Sequence, residues 1–178
     1  VSVMGTGGFG VYDASVGLQV LENGQLVNGG LRDHVSEWII ALFMWIAGSN
    51  LGLWYVLFFK GRAKQFWQNR EFRTYFFFVL LVTAGIWIDL VLSGTYVSWY
   101  DALRVAFFNV NTILSTTGLA NTDFTVWPAA AEALLFSCYL VGGMVGSTAG
   151  GLKVLRFNLL FKYLQIKLQN FLFGRYKT

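Results

Sequence analysis

The chain has 178 residues, 56% hydrophobic and only 12% charged, with 17 Phe and 7 Trp, and its mean hydropathy is +0.55. This profile excludes an ordinary soluble domain and marks an all-α integral membrane chain. The single Cys138 excludes an intrachain disulfide framework, and with His34 as the only histidine there is no zinc or haem cluster. The net charge of +4 does not indicate nucleic acid, because the basic residues sit beside apolar spans and read as topology signals.

The sequence opens at Val1 in a Gly-rich stretch, Val-Ser-Val-Met-Gly-Thr-Gly-Gly-Phe-Gly, with no helix before it. It is therefore expected to be a piece of a longer protein, and the stretch to be a loop with demanding backbone angles or a flexible terminus. From Val11 to Asp33 the chain is polar, with Asn23-Gly24 and Asn28-Gly29-Gly30 as turn signals, and a surface loop is expected. Val35 to Phe59 holds Glu37 as its only charge and is long enough to span a bilayer as the first span. Gly48, Ser49, Asn50 and Gly52 inside it suit either close helix packing or the lining of a pore.

Lys60, Arg62, Lys64, Arg70 and Arg73, against Glu71 alone, make the next connection cytoplasmic. Thr74 to Ser98 is the second span, with Asp89 as its one charge. A carboxylate at a helix centre costs on the order of 3 kcal/mol, so Asp89 needs a partner: backbone that it caps or pairs with, or a cation that it attracts.

Trp99 to Ser115 is too short to cross, about 25 Å as a full helix, and its helical part is expected to begin at Asp101. It reads as a re-entrant pore helix, with the partial negative charge of its C-terminal end aimed at Thr116-Thr117-Gly118. A dehydrated cation needs oxygen ligands, and a backbone turns successive carbonyls inward only where unusual dihedrals are tolerated, as at glycine. Thr-Thr-Gly by itself is equally an ordinary turn. The chain returns through Ala120 to Trp127 and restarts a helix at Pro128.

If the first span runs inward and the second outward, both Gly-rich turns lie outside and the helix from Pro128 runs inward. The charges agree: Lys153, Arg156, Lys162, Lys167, Arg175 and Lys177 follow that helix with no acid among them, while acids outnumber bases on the outer side, where Asp101 and Asp123 outweigh Arg104. The third span is interrupted at Gly142-Gly143-Met144-Val145-Gly146-Ser147-Thr148-Ala149-Gly150-Gly151. Its five glycines oppose a continuous helix by about 4 to 5 kcal/mol in sum. Broken backbone at membrane depth must be buried in protein or face water, so the segment either lines a cavity or serves close helix packing. Beyond it Phe157, Leu160, Phe161, Leu164, Leu168, Phe171 and Leu172 fall at helical spacing. An amphipathic cytoplasmic helix is expected there, either an interfacial anchor or a docking surface.

The sequence also echoes itself. Ser2-Val3-Met4-Gly5-Thr6-Gly7-Gly8-Phe9, followed by Asp13, aligns with Thr112-Ile113-Leu114-Ser115-Thr116-Thr117-Gly118-Leu119, followed by Asp123. Each turn precedes an inward helix with mid-span glycine, Gly48 in one case and Gly142-Gly143 in the other. The repeating unit is a pore loop followed by a helix, and a channel needs several such loops about one axis.

At these residues, and at Ala47-Gly48-Ser49-Asn50, the basic connection from Gly61 to Phe76, Trp127-Pro128 and above all Gly142 through Arg156, the chain resembles the membrane subunits of the Trk/Ktr/HKT potassium transporter superfamily. The resemblance covers nearly the whole chain. It implies four helix, pore loop, helix repeats in one polypeptide, with residues 1–73 as the end of the second repeat and 74–178 as the third. Thr6, Gly7, Gly8, Thr116, Thr117 and Gly118 would then be filter residues for K+, with Asp13 and Asp123 in the outer vestibule. Gly142, Gly143, Gly146, Ser147, Thr148, Gly150 and Gly151 would belong to an intramembrane gate loop beneath the filter. The family further implies a multi-pass protein of the bacterial inner membrane, surrounded by lipid, homodimeric, and bound to a cytoplasmic nucleotide-binding regulatory ring of the TrkA-like kind. The potassium ion is the substrate, and no cofactor or nucleic acid is implied.

Leu119 departs from the family in standing where an aromatic often follows the filter glycine, and Trp54 stands where histidine is common. The family's basic residue below the filter belongs to the fourth repeat, so Arg156 is not given that role. The alternative function is a non-conducting membrane scaffold that presents Phe157 to Phe173 to partners. An enzyme is not expected, since the sequence offers no constellation for catalysis.

Overall fold

The computed structural model describes residues 3–9, 19–22, 25–28, 34–61, 63–96 and 98–172. Among the described residues the regular structure is helical apart from one antiparallel hairpin, β1 (Gln19–Glu22) and β2 (Gln25–Asn28), in which Glu22 pairs with Gln25 across two intervening residues. A plain surface loop was the expectation for this region. Asn-Gly between two short runs is, however, a strong hairpin signal, because both residues accept the dihedrals that a two-residue turn needs.

Seven α-helices follow among the described residues: α1 (His34–Gly48), α2 (Leu51–Lys60), α3 (Ala63–Gln68), α4 (Arg70–Leu92), α5 (Trp99–Leu114), α6 (Ala129–Leu140) and α7 (Val154–Leu172). Among the described residues α4 is the one helix long and apolar enough to cross a membrane unbroken. It starts where the Asn69 side chain accepts from Phe72 N–H at 3.0 Å and stops before Gly94, whose φ is 68°. Phe72, Tyr75, Val79, Val82, Ile86 and Leu90 lie three or four residues apart along α4 and are buried against α5 and α6. Phe77, Leu81, Ile88 and Leu92 occupy its other faces and remain exposed. A helix apolar on all sides suits a bilayer or further helices around it.

The first span is not one helix. α1 and α2 meet at 102°, with Ser49 and Asn50 between them. No charge marks this point, but Asn50 adopts an extended conformation and its side chain caps α2 by accepting from Gly52 N–H at 2.8 Å. Gly48 is the last residue of α1, and a methyl there would come within 2.6 Å of the Tyr75 hydroxyl and 3.3 Å of Ser115 Cβ. The small residues thus serve packing, and they also break the span.

The expected interruption of the third span is present. α6 is 12 residues long, about 18 Å, and the chain is non-helical from Val141 to Lys153 before α7 begins. α6 begins at Ala129, one residue later than expected, with Pro128 in the cap position. Asp89 has its partner here: its Oδ2 accepts from Ala131 N–H at 2.9 Å, so the carboxylate deep in α4 caps the start of α6. Gly85 lets the two helices close together, since a methyl there would meet Leu134 Cδ1 at 2.9 Å. Beyond Asn158, α7 is exposed on every face described.

Candidate functional site

α5 delivers the chain to Thr116-Thr117-Gly118. It begins at Trp99, two residues before the expected start, and its buried face carries Asn109, Asn111 and Thr112 as well as apolar residues. These polar groups fix the turn from behind. The N–H groups of Thr117 and Gly118 both reach back to the Thr112 carbonyl, at 2.9 and 3.4 Å, while the Thr112 hydroxyl donates to the Leu119 carbonyl at 2.7 Å. The Ser115 hydroxyl bonds Asn111 O at 2.6 Å and lies 2.7 Å from Thr117 Oγ1. The amide hydrogens of Thr117 and Gly118 are thus tied back to the last turn of α5.

The dihedrals supply the second half of this geometry. Thr116 has φ 56° and Gly118 φ 79°; Thr6 has φ 48° and Gly8 φ 63°. These are equivalent positions of the echoed segments, two residues apart in each. Thr6 and Thr116 are the only non-glycine residues with positive φ among the described residues. A β-branched residue held there costs on the order of 1–3 kcal/mol, which the surroundings must impose. The turns also share a hydrogen bond at matching positions, Thr6 N–H to Val3 O at 3.2 Å and Thr116 N–H to Ile113 O at 2.9 Å.

The structure brings the two turns together. A methyl on Gly8 would collide with the Thr117 carbonyl oxygen, whereas one on Gly118 would meet nothing within 4 Å. One glycine allows the turns to touch, and the other borders open space.

The Gly-rich loop lies against both turns and against the α1–α2 break. The Thr6 hydroxyl donates to Thr148 O at 3.0 Å, and Gly150 N–H donates to Thr116 Oγ1 at 2.8 Å. Met144 N–H donates to Gly48 O at 2.9 Å, Thr148 N–H to Ala47 O at 3.3 Å, and Leu51 N–H to Gly146 O at 3.2 Å. The two helix breaks therefore satisfy each other's exposed backbone groups. The glycines fit where backbones cross: a methyl on Gly142 would stand 2.5 Å from Gly150 O, and one on Gly143 2.6 Å from Gly48 O. Gly146 and Gly151 have φ of 79° and 72°. Ser147 turns inward on the loop, its hydroxyl donating to Met144 O at 2.6 Å.

Asp123 lies apart from this cluster. Its Oδ1 accepts from the Thr125 N–H at 3.0 Å and the Thr125 hydroxyl at 2.7 Å, starting a single 3-10 turn, Phe124–Val126. Those bonds hold its carboxyl below the usual carboxylate range. Asp13 lies outside the described residues.

A buried polar network stands behind the site. Glu37 on α1 and Arg104 on α5 form an ion pair, with Glu37 1% exposed. Asn121 Nδ2 donates to Glu37 Oε2 at 3.1 Å, Asn109 Nδ2 donates to Asn121 Oδ1 at 2.8 Å, and Arg104 reaches Asp101 at 3.1 Å. This ties the segment after Gly118 to both α1 and α5. Arg104 is thus a buried partner and not the surface topology charge expected of it. A lone acid and a lone base in two apolar helices are the sequence signal for such a pair, although only the fold shows that they meet.

No family model matches the chain. Relatives do. The Trk system potassium uptake protein TrkH of Salmonella typhimurium is 35% identical over 169 residues, which are 90% of this chain and 31% of that protein. TrkG of Escherichia coli K12 is 28% identical over 165 residues, 91% of this chain and 31% of the relative. The crystal structure of the potassium transporter TrkH from Vibrio parahaemolyticus superposes with a TM-score of 0.86 at 30% identity, covering 99% of this chain and 36% of that one. The chain is a Trk-family sequence, most like TrkH. It spans about a third of the length of the curated Trk relatives it matches, and its all-α membrane architecture with pore-loop helices is that of the TrkH structure.

Proposed function

We propose that the chain forms part of a potassium-uptake pore. In this reading residues 1–73 end the second pore repeat and 74–178 form the third. Thr6, Gly7 and Gly8 with Thr116, Thr117 and Gly118 are two of four filter turns, each offering backbone oxygens to a dehydrated K+. The negative end of the α5 dipole favours a cation at the second turn. Asp13 and Asp123 raise the local cation concentration at the outer mouth. Gly142, Gly143, Gly146, Ser147, Thr148, Gly150 and Gly151 belong to a loop that obstructs the path until it moves. The intact protein is a homodimer in the bacterial inner membrane, working with a cytoplasmic nucleotide-binding ring.

The observation that carries this reading is the matched pair of left-handed positions, Thr6 with Gly8 and Thr116 with Gly118, in two turns that touch. Strain placed identically in two segments more than a hundred residues apart is what repeated ion-coordinating turns require, and ordinary surface turns do not. The relatives' names as potassium uptake proteins support the choice of ion. The test is Gly118→Ser in the full-length protein. Open space beside Gly118 leaves room for the side chain, but its backbone conformation suits glycine, so discrimination of potassium over sodium falls in a flux assay. Unchanged selectivity would sink the assignment, and absence of rubidium uptake by the parent protein in liposomes would favour the scaffold.

A further inference from the structure

The loop between α6 and α7 is held from a third direction that the pore reading leaves unused. Val145 N–H donates at 2.7 Å to Oε1 of Glu71, a residue 74 positions earlier in the first turn of α4. Val145 stands between two residues of the loop that are themselves tied down. On one side Met144 is buried and bonded to Gly48 O; on the other Gly146 takes φ 79° and accepts from Leu51 N–H. A hydrogen bond from backbone N–H to a carboxylate is among the stronger kinds. It is also the one bond among those described that runs from the loop backbone to a side chain of the basic connection and the start of α4.

Glu71 is itself firmly placed. Asn69 caps the helix turn that carries it, and the neighbouring Phe72 packs against Phe66 of α3 with ring centroids 4.2 Å apart and against Trp67 at 5.6 Å. Phe66 in turn meets Trp54 of α2 at 5.0 Å. The carboxylate is thus set by a continuous aromatic cluster joining α2, α3 and α4, and a shift of α3 moves it relative to the loop.

We propose that Glu71 is a positioning residue that latches the loop in its obstructing position, so that the α3–α4 connection controls release of the loop. This rests on the pore reading above. The latch depends on an acceptor oxygen at the reach of glutamate more than on charge, which only strengthens the bond. Glu71→Gln keeps an oxygen at that reach and loses the charge. Glu71→Asp keeps the charge at the start of α4 but falls one methylene short.

The experiment measures rubidium uptake by the full-length protein in liposomes, together with labelling of Val145→Cys by an impermeant thiol reagent in a Cys138→Ala background. Glu71→Asp and Glu71→Ala should raise both uptake and labelling by about tenfold, the worth of one charge-assisted bond, while Glu71→Gln stays within about twofold of the parent, as a retained neutral hydrogen bond predicts. A helix-dipole role for Glu71 gives the reverse order, with Glu71→Gln defective and Glu71→Asp normal, and overturns the latch. Shortening Gly146–Gly150 separates the two readings. If shortening raises uptake while labelling is unmoved in all Glu71 variants, the latch fails and the obstruction stands. If shortening leaves uptake unaltered while Glu71→Asp raises labelling, the latch stands and the obstruction fails.

Discussion

Gly143→Ala places one methyl group where the two helix breaks cross. Its Cβ would stand 2.6 Å from Gly48 O, 2.7 Å from Ala149 Cβ and 2.9 Å from Ser147 Oγ. The serine can rotate, but a backbone carbonyl and a Cβ cannot, so the loop must lift away from α1. Overpacking of this kind costs about 1–3 kcal/mol. Lifting also forfeits the bonds from Met144 N–H to Gly48 O and from Thr148 N–H to Ala47 O, each worth about 1 kcal/mol. Those bonds are absent from the displaced loop in parent and variant alike, so only the overpacking, about 1–3 kcal/mol, falls on the docked loop of the variant, and it shifts the ratio of displaced to docked loop roughly fivefold to a hundredfold at about 1.4 kcal/mol per decade. Rubidium uptake by full-length protein in liposomes should therefore rise steeply. Gly61→Ala is the control, because Gly61 has φ 61° but nothing within 4 Å of the added carbon, so it strains the connection without touching the loop. Uptake unchanged or lower in a Gly143→Ala protein that elutes and melts as a folded assembly would refute the reasoning.

Gly8→Ala should abolish selective uptake, since its methyl collides with the Thr117 carbonyl oxygen and no side chain is available to yield; retained potassium selectivity would show that the two turns do not meet in the intact protein. Arg104→Leu leaves Glu37 buried without its counter-charge, a loss of about 3–5 kcal/mol, and should lower the melting temperature of the detergent-solubilised protein well beyond the effect of Lys162→Ala on exposed α7. Asp123 titrates below the usual carboxylate range because Thr125 bonds its charged form. The stabilising effect is present above the unfolded carboxylate pKa and is lost as pH falls through the depressed folded value. Thr125→Val should accordingly move the acid limb of uptake to higher external pH, and an unmoved limb would remove Asp123 from the outer mouth.

Much of the site was legible because it rests on residues with few conformational alternatives. Five glycines in ten residues cannot be read as a stable helix, and the loop stands where they do. The echo of Thr6–Gly8 in Thr116–Gly118 reappears as paired left-handed dihedrals. What the sequence concealed depends on contacts between distant segments. The bend at Ser49-Asn50 interrupts a run long enough to cross as one helix, and the Tyr75 and Ser115 that crowd Gly48 come from distant parts of the chain. Arg104 reads locally as a surface charge, because its partner Glu37 lies 67 residues away. Glu71 reads as the one acid in a basic stretch, and nothing nearby in the sequence points to the Val145 amide.

The central claim is that Thr6–Gly8 and Thr116–Gly118 face a dehydrated cation together. Anomalous density from rubidium, in a structure of the intact assembly grown or soaked with that ion, tests it directly. The account predicts ions on the pore axis within coordination distance of the carbonyl oxygens of both turns and of the remaining repeats. Rubidium bound elsewhere, with these two turns vacant or their carbonyls turned away, would contradict it.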